Sequence, residues 1–530
     1  MRKKVDFLLK NARIYTVDEK MSEVDCLVAD AGKVVETGST NVLEKKYQAS
    51  ACLDAGGKFV YPGFYDAHCH FYGYGTNLLQ YADLTGAKSR SEVRRRLQDH
   101  YRKYPGEWLL GQGWDQNLWP DKQFPDRTDL DDLFPEVPVF LLRIDSHAAW
   151  CNSKALDVAG ITAETKVEGG EVLTKYGVPT GILIDQAGKL VSRLIPELSK
   201  KQKQSALLEA QKQAVVVGLT SVADCGLDRD IVWLMDELQQ AGQLKVRVNA
   251  MIHPTDENLN EFVRQGIYKT DRLQVNTIKL FADGALGSRG ALLLDDYSDD
   301  PGNKGLQLFS TDYLSKICRL AFENNFQVAT HAIGDGANRL MLAIYAELLQ
   351  GKNDRRWRIE HAQVVHPDDL KKFADFSIVP SIQALQATSD LDWSANRLGA
   401  ERLKTAYAWQ QLLQQNGWLA NGTDFPIESI NPLKTFYASV FRKNEQGNPE
   451  SGFQMENALT REEALRSITI WAAKASFEEQ EKGSLEPGKR ADFVLLDTDL
   501  TRADEAAIRE ATVLKTFIAG EEVFCRESMS

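Results

Sequence analysis

The chain is poor in the features that would place it in several large classes. Only 7 of its 530 residues are Cys. They stand at positions 26, 52, 69, 151, 225, 318 and 525, with no Cys-x-x-Cys pair among them. An odd, scattered set argues against a disulfide scaffold and predicts a reduced, cytoplasmic protein with mostly buried thiols. No apolar run approaches the ~18 residues of a membrane span. The basic start Met1-Arg2-Lys3-Lys4 leads into an apolar stretch that Asp6 and Lys10 interrupt, so no signal-peptide core is expected. Basic residues are not in excess either: 63 Lys and Arg face 75 Asp and Glu, a net charge of −12. That balance argues against nucleic acid and anionic membrane as partners. No internal repeat or low-complexity tract stands out.

What is present is an ordinary globular composition, 43% hydrophobic and 26% charged, on a chain long enough for two or three domains. The two ends read as β-structure. Asp6–Leu9, Ala12–Val17, Cys26–Ala29, Lys33–Thr37 and Lys58–Tyr61 are short strands separated by turn residues. Asp492–Asp497 and Val513–Ile518 continue the pattern, with a turn at 519–522 leading into Val523 and Phe524. Residues 1–60 and 481–530 are therefore expected to form one small β-sandwich built from both chain ends. Between them, over 61–480, short apolar runs alternate with amphipathic helices. The runs are Gly218–Ala223, Lys245–Ile252, Val275–Phe281, Phe326–His331, Trp357–His361, Ser377–Ser381 and Trp418–Gly422, with helices such as Gln202–Val217, Thr311–Asn324 and Asn338–Leu349 among them. This is an α/β pattern with a parallel sheet. Adding Phe59–Asp66 gives eight strands, the number that closes a (β/α)8 TIM barrel. Residues 75–200, rich in Trp, Pro and Asp, break the alternation and read as a large insertion after the first barrel strand.

Only eight His occur in the chain. His68 and His70 follow an apolar run, and in a strand such a pair shares one face, a ready metal chelate. His331 and His361 each end a predicted strand, and active-site residues of barrels gather at that end. Asp424, in Asn421-Gly422-Thr423-Asp424-Phe425-Pro426, follows the last strand. A carboxylate there can ligate metal and take a proton from water, or simply cap a turn. Lys279 lies inside an otherwise apolar strand, where an unpaired ammonium is costly. It is expected to be snorkelling, paired, or converted with CO₂ to a carbamate able to bridge two metals.

The set resembles a known family. Pro62-Gly63 followed by Asp66-Ala67-His68-Cys69-His70, then Lys279, His331, His361 and Asp424 in that order, is similar to the metal-and-base set of the amidohydrolase superfamily. Gly111-Gln112-Gly113-Trp114-Asp115, the stretch from Lys279-Leu280-Phe281-Ala282-Asp283 to Gly287-Ser288, and Arg358-Ile359-Glu360-His361-Ala362-Gln363 narrow the resemblance to its YtcJ-like subgroup (amidohydrolase family 3), which includes N-substituted formamide deformylase. Gly483-Ser484-Leu485-Glu486-Pro487-Gly488-Lys489-Arg490-Ala491-Asp492 is similar to the family's return into its β-sandwich. The resemblance implies one or two divalent metal ions. His68 and His70 would hold the first, His331 and His361 the second, and a carboxylated Lys279 would bridge. Asp424 would be a first-metal ligand and the general acid/base. Zinc suits imidazole and carboxylate donors.

The implied function is hydrolysis of a non-peptide carbon–nitrogen bond (amide, N-formyl or cyclic amide) in a small molecule. Trp114, Asp115 and His147 in the insertion are candidates for substrate binding, because the resemblance places such motifs near the active-site mouth; Trp114 reads equally as a core residue. Arg289 is a further candidate for a substrate carboxylate, or else an ion-paired surface residue. A homodimer is the common assembly for such a chain. A non-catalytic metal-binding regulator on the same fold, and a metal-dependent lyase or isomerase, are the alternatives.

Overall fold

The computed structural model describes residues 2–143, 148–167, 170–287 and 289–526. Contacts divide the chain into two units: Met1–Tyr72 with Ala210–Ser530, and Gly73–Glu209.

The larger unit holds a (β/α)8 barrel. Its strands are β1 (Phe64–Cys69), β2 (Leu219–Leu227), β3 (Arg247–Ile252), β4 (Leu273–Phe281), β5 (Gln327–Ala332), β6 (Arg358–His361), β7 (Val379–Ile382) and β8 (Ala420–Asn421). They lie side by side in chain order, each pair parallel. Parallel neighbours need crossovers, and helices supply them, among them Arg229–Gln240, Thr311–Glu323, Asp335–Leu349, Pro367–Asp375 and Trp409–Asn416. The strands read as near-continuous apolar runs because both faces are covered; β1 is buried at every position. Just past β8 the ring is drawn shut: Asp424 N–H donates to the His68 carbonyl (2.7 Å) and His70 N–H to the Phe425 carbonyl (2.9 Å). Gly422 permits that approach, since a Cβ there would lie 2.4 Å from the His68 nitrogen.

One expected strand divides in two. Phe59–Asp66 is not a single barrel strand. Phe59–Pro62 belongs to the sheet of the chain ends, and the barrel begins at Phe64. Gly63 is the joint. A Cβ there would meet the Thr220 hydroxyl at 2.3 Å, and its N–H is bound by the Asp492 carbonyl at 2.9 Å. The chain ends form two sheets. One contains Lys3–Lys10, Cys26–Asp30, Lys33–Gly38 and Tyr47–Asp54. The other joins Arg13–Tyr15, Glu23–Val24 and Phe59–Pro62 to Phe493–Leu496, Val513–Ile518 and Glu521–Cys525. The last strand starts at Glu521, so the expected turn at 519–522 is narrower, centred on Ala519 and Gly520, both at positive φ. Phe7, Leu9, Ile14, Val60, Phe493 and Phe517 fill the space between the sheets.

The second unit has its own six-stranded sheet, ordered Gly170–Lys175, Val178–Asp185, Ala148–Cys151, Val139–Arg143, Leu109–Trp114 and Tyr81–Asp83. Its core packs Trp114, Trp119 and Trp150 with Leu97, Val139 and Leu141. Among the described residues no helix is long and apolar enough to cross a membrane.

Candidate metal centre

The carboxyl ends of β1, β4, β5, β6 and β8 bring the site together. His68 and His70 turn their Nε2 atoms toward the same oxygen, Asp424 Oδ1, at 3.5 and 3.2 Å. Ligand atoms of these three residues all lie within 4.8 Å of one another.

The second ring nitrogens settle the tautomers. His68 Nδ1 faces Glu360 Oε2 at 2.5 Å, and His70 Nδ1 faces the Cys225 carbonyl at 3.1 Å. Both partners accept, so each Nδ1 carries the proton and each Nε2 presents a lone pair. Asp424 Oδ1 is buried and accepts no hydrogen bond. Three lone-pair donors thus converge with no proton between them. Such an arrangement suits a cation, and a set of two imidazoles and a carboxylate fits a divalent ion.

Electrostatics keeps the donors in ligating form. Burial, reinforced by the Lys279 ammonium, holds His68 well below its ordinary imidazole range. Burial does the same for His331, with His361 and Lys279 adding to it. His361 is pushed down to about 3 by burial, with His68 and Lys279 in support. For Asp424, burial raises the carboxyl, and His68, His70 and His361, wherever one of them carries a proton, lower it by more, so the cluster favours a carboxylate over a neutral acid.

His331 and His361 stand beside this cluster without joining it. Their ring centroids are 4.5 Å apart, and His361 lies 5.1 Å from His68. His331 Nε2 donates toward the Gly284 carbonyl at 3.3 Å, and His361 Nδ1 toward Gln386 Oε1 at 3.2 Å. Gln386 Nε2 in turn donates to Asp424 Oδ2 at 3.3 Å. Lys279 is fully buried, its Nζ 3.4 Å from His68 Nε2 and 5.0 Å from the centre of the Phe281 ring. Among the described residues no carboxylate lies within 4.0 Å of that ammonium.

Residues that sequence reading did not single out hold the ligands in place. Arg358 and Glu360 are completely buried and paired, Nε to Oε1 at 2.6 Å. Arg358 Nη2 also reaches the Ala67 carbonyl (2.6 Å) and Ser381 Oγ (2.7 Å), tying β6 to β1 and β7. Their alternation in Arg358-Ile359-Glu360-His361 is the signal that could have found them: charges two apart share the inner face of a strand. Asp66 accepts His68 N–H at 3.0 Å and the Thr423 hydroxyl at 2.7 Å. Asp224 accepts Phe71 and Tyr72 N–H at 2.9 and 3.0 Å. Asp283 accepts Leu292, Ile333 and Gly334 N–H at 2.8–3.0 Å. Burial pushes all three carboxyls up to about 7. Asp424, His361 and Ala362 adopt positive φ of 62°, 70° and 42°. Non-glycine residues in that region carry strain, which gathers at functional sites.

The candidates for substrate contact are placed differently. Trp114 is fully buried in the core of the second unit, and its indole N–H donates to the Leu141 carbonyl at 2.9 Å. The packing matches the core reading of Trp114, with its ring against Trp119 and Trp150. Asp115 is half-buried and receives Arg143 Nη2 at 2.8 Å. His147 lies outside the described residues. Arg289 directs its guanidinium to Asp299, Nε at 3.1 Å and Nη2 at 2.9 Å, the ion-paired arrangement that is the other reading of this residue.

A family model described as the amidohydrolase family matches residues 51–524, and the chain belongs to that family. Fold, donor set and family together define a metal-dependent hydrolase. Within the family the chain falls in the YtcJ-like subgroup. It is 33% identical to the putative amidohydrolase YtcJ of Bacillus subtilis (strain 168), over 96% of this chain and 98% of that protein. It is 26% identical to N-substituted formamide deformylase of Arthrobacter pascens, over 97% of each. An uncharacterized metal-dependent hydrolase from Pyrococcus horikoshii superposes with a TM-score of 0.80 and 30% identity, covering 94% of this chain and 99% of that one.

Proposed function

We propose that the protein hydrolyses a non-peptide carbon–nitrogen bond of a small molecule: an amide, a formamide or a cyclic amide. The observation that carries this reading is the convergence of His68 Nε2, His70 Nε2 and Asp424 Oδ1 on one point at the strand ends. When bound there, a divalent ion such as zinc polarises a carbonyl and lowers the pKa of water to about 7. The chain's own residues do the rest. Glu360 holds the His68 proton at Nδ1, so that Nε2 stays a ligand. Asp424 is ionised at neutral pH and accepts the proton of the attacking water at Oδ2, the oxygen turned away from the two imidazoles. It then hands that proton to the leaving nitrogen, which departs poorly as an anion. Gln386 fixes the rotation of that carboxylate. The sequence similarity to a formamide deformylase supports N-formyl amines as the first substrates to screen.

We propose that Lys279 reacts as the neutral amine with CO₂, releasing a proton, to give a carbamate whose oxygens would serve as metal ligands; His331 and His361 would hold a second ion. The burial of Lys279 without a carboxylate partner among the described residues supports this.

The test is metal content per chain, by plasma mass spectrometry on protein purified without chelator. About two ions support the bridged centre; about one supports the hydrolase with unmodified Lys279. No metal, and none taken up with Zn²⁺ and bicarbonate, overturns the reading. Incorporation of ¹⁸O from solvent water into the acid product separates hydrolysis from a lyase or isomerase reaction.

A further inference from the structure

In the larger unit lies a cleft of about 570 Å³, a size suited to a small ligand. Its walls come from the turn after β7 (Leu385, Thr388, Ser389), from Glu428 beyond β8, and from Leu433 and Tyr437 of the helix Pro432–Phe441. Two of these walls are anchored at the site already described. Gln386, in the middle of the first, donates to Asp424 Oδ2. Glu428 follows a tight turn in which Ile427 N–H binds the Asp424 carbonyl at 2.9 Å.

The charges of the cavity are unevenly matched. Lys434 is held by Glu445 at 2.6 Å, and Lys443 by Glu505 at 2.9 Å. Arg509 lies 3.5 Å from Glu510. Among the described residues Glu428 has no such partner. It accepts the Ser389 hydroxyl at 2.5 Å, and among the described residues no Lys, Arg or His nitrogen comes within 4.0 Å of it. Burial, followed by the negative charges of Asp424 and Glu445, pushes its carboxyl up, so the local field favours an added cation. A half-buried carboxylate facing a cleft, with a hydroxyl as its hydrogen-bond partner, is one that an ammonium or guanidinium group can pair with. Leu433 and the ring of Tyr437 offer apolar surface for methylenes.

We propose that Glu428 anchors the cationic end of the substrate, so that the preferred substrates are small amides carrying an ammonium or guanidinium group remote from the scissile bond. This rests on the hydrolase reading for the scissile bond, but the cation site itself is open to a separate test. Metal-loaded wild type and Glu428→Gln are titrated calorimetrically with pentylammonium, and with 1-pentanol as the uncharged control. They are then assayed on mono-N-formyl-1,5-diaminopentane against N-pentylformamide. Pentylammonium should bind wild type about ten-fold more tightly than Glu428→Gln, the scale of one lost charge-assisted hydrogen bond. The ratio of kcat/KM for the cationic over the neutral formamide should fall by a similar factor in the variant, through KM rather than kcat. Glu428→Asp, which keeps the charge, should retain part of the preference and controls for folding. Equal binding of pentylammonium to wild type and Glu428→Gln, or a cation preference that survives the substitution, overturns the proposal. Loss of turnover on both formamides with the binding difference intact counts against the hydrolase reading and supports the cation site.

Discussion

The barrel interior and the inserted unit bury their large side chains to different ends. At the strand ends of the barrel, Lys279, Arg358 and Glu360 are wholly inaccessible and His68 nearly so. In the insertion the largest buried side chains are Trp114, Trp119 and Trp150. Apolar burial needs only close packing, and it stabilises in proportion to area. Buried charge stabilises little even when paired, and removing one partner is severe. A fold that keeps so many charged and imidazole groups inside one end of its barrel therefore does so for chemistry, whereas the Trp cluster is explained by packing alone.

The sharpest break of this comparison is Asp424→Asn. General acid–base catalysis supplies roughly 10²–10⁴-fold, and this change also weakens a ligand. Turnover on any amide substrate found in the formamide screen should drop about 10³-fold, with the circular dichroism spectrum and melting curve retained. Unchanged turnover would remove Asp424 from the acid/base role. Glu360→Gln strips Arg358 of its countercharge and His68 of its orienting partner. Urea unfolding should show a loss of about 3–5 kcal/mol, and metal affinity should fall about 10- to 100-fold. Were stability to hold, Arg358 would be satisfied by its carbonyl and hydroxyl partners alone. Trp114→Ala should also cost about 3–5 kcal/mol, seen in the same unfolding assay. Unlike the barrel substitutions, it should leave metal affinity unaltered. A change in metal binding there would undo the contrast between the two regions. The smallest effect is expected from Arg289→Ala. A partly exposed pair such as Arg289–Asp299 contributes about 0–1 kcal/mol, and KM should stay within two-fold on neutral amides. A large rise in KM would restore Arg289 as a substrate contact.

The architecture was largely legible in the sequence. All eight barrel strands overlap their expected runs, and Val513–Ile518 has its expected bounds, because the alternation of apolar strand and amphipathic helix is a local pattern. The first run, Phe59–Asp66, overlaps only in part, because it breaks at Gly63. An apolar run carries no mark of the sheet it will join, and the close approach of Thr220 that demands glycine there is a contact between distant parts of the chain. The sheet of the insertion was not read, since its strands are short and mostly antiparallel.

For the site, the sequence by itself determined which residue types reach the carboxyl ends of the strands: His68 and His70 by their spacing, His331, His361 and Asp424 by their position after apolar runs, Lys279 by its isolation within one. Only the tertiary structure decided that His68, His70 and Asp424 converge while His331 and His361 turn to a carbonyl and an amide. It alone paired Glu360 with both Arg358 and His68, brought Gln386 to Asp424, and, among the described residues, left Glu428 to a hydroxyl and not to a cation. The physical reason is range. Strand period and apolar runs are set by neighbours along the chain, whereas hydrogen bonds and ion pairs are settled within a few ångströms, and only the closing of the barrel brings residues hundreds of positions apart to that distance.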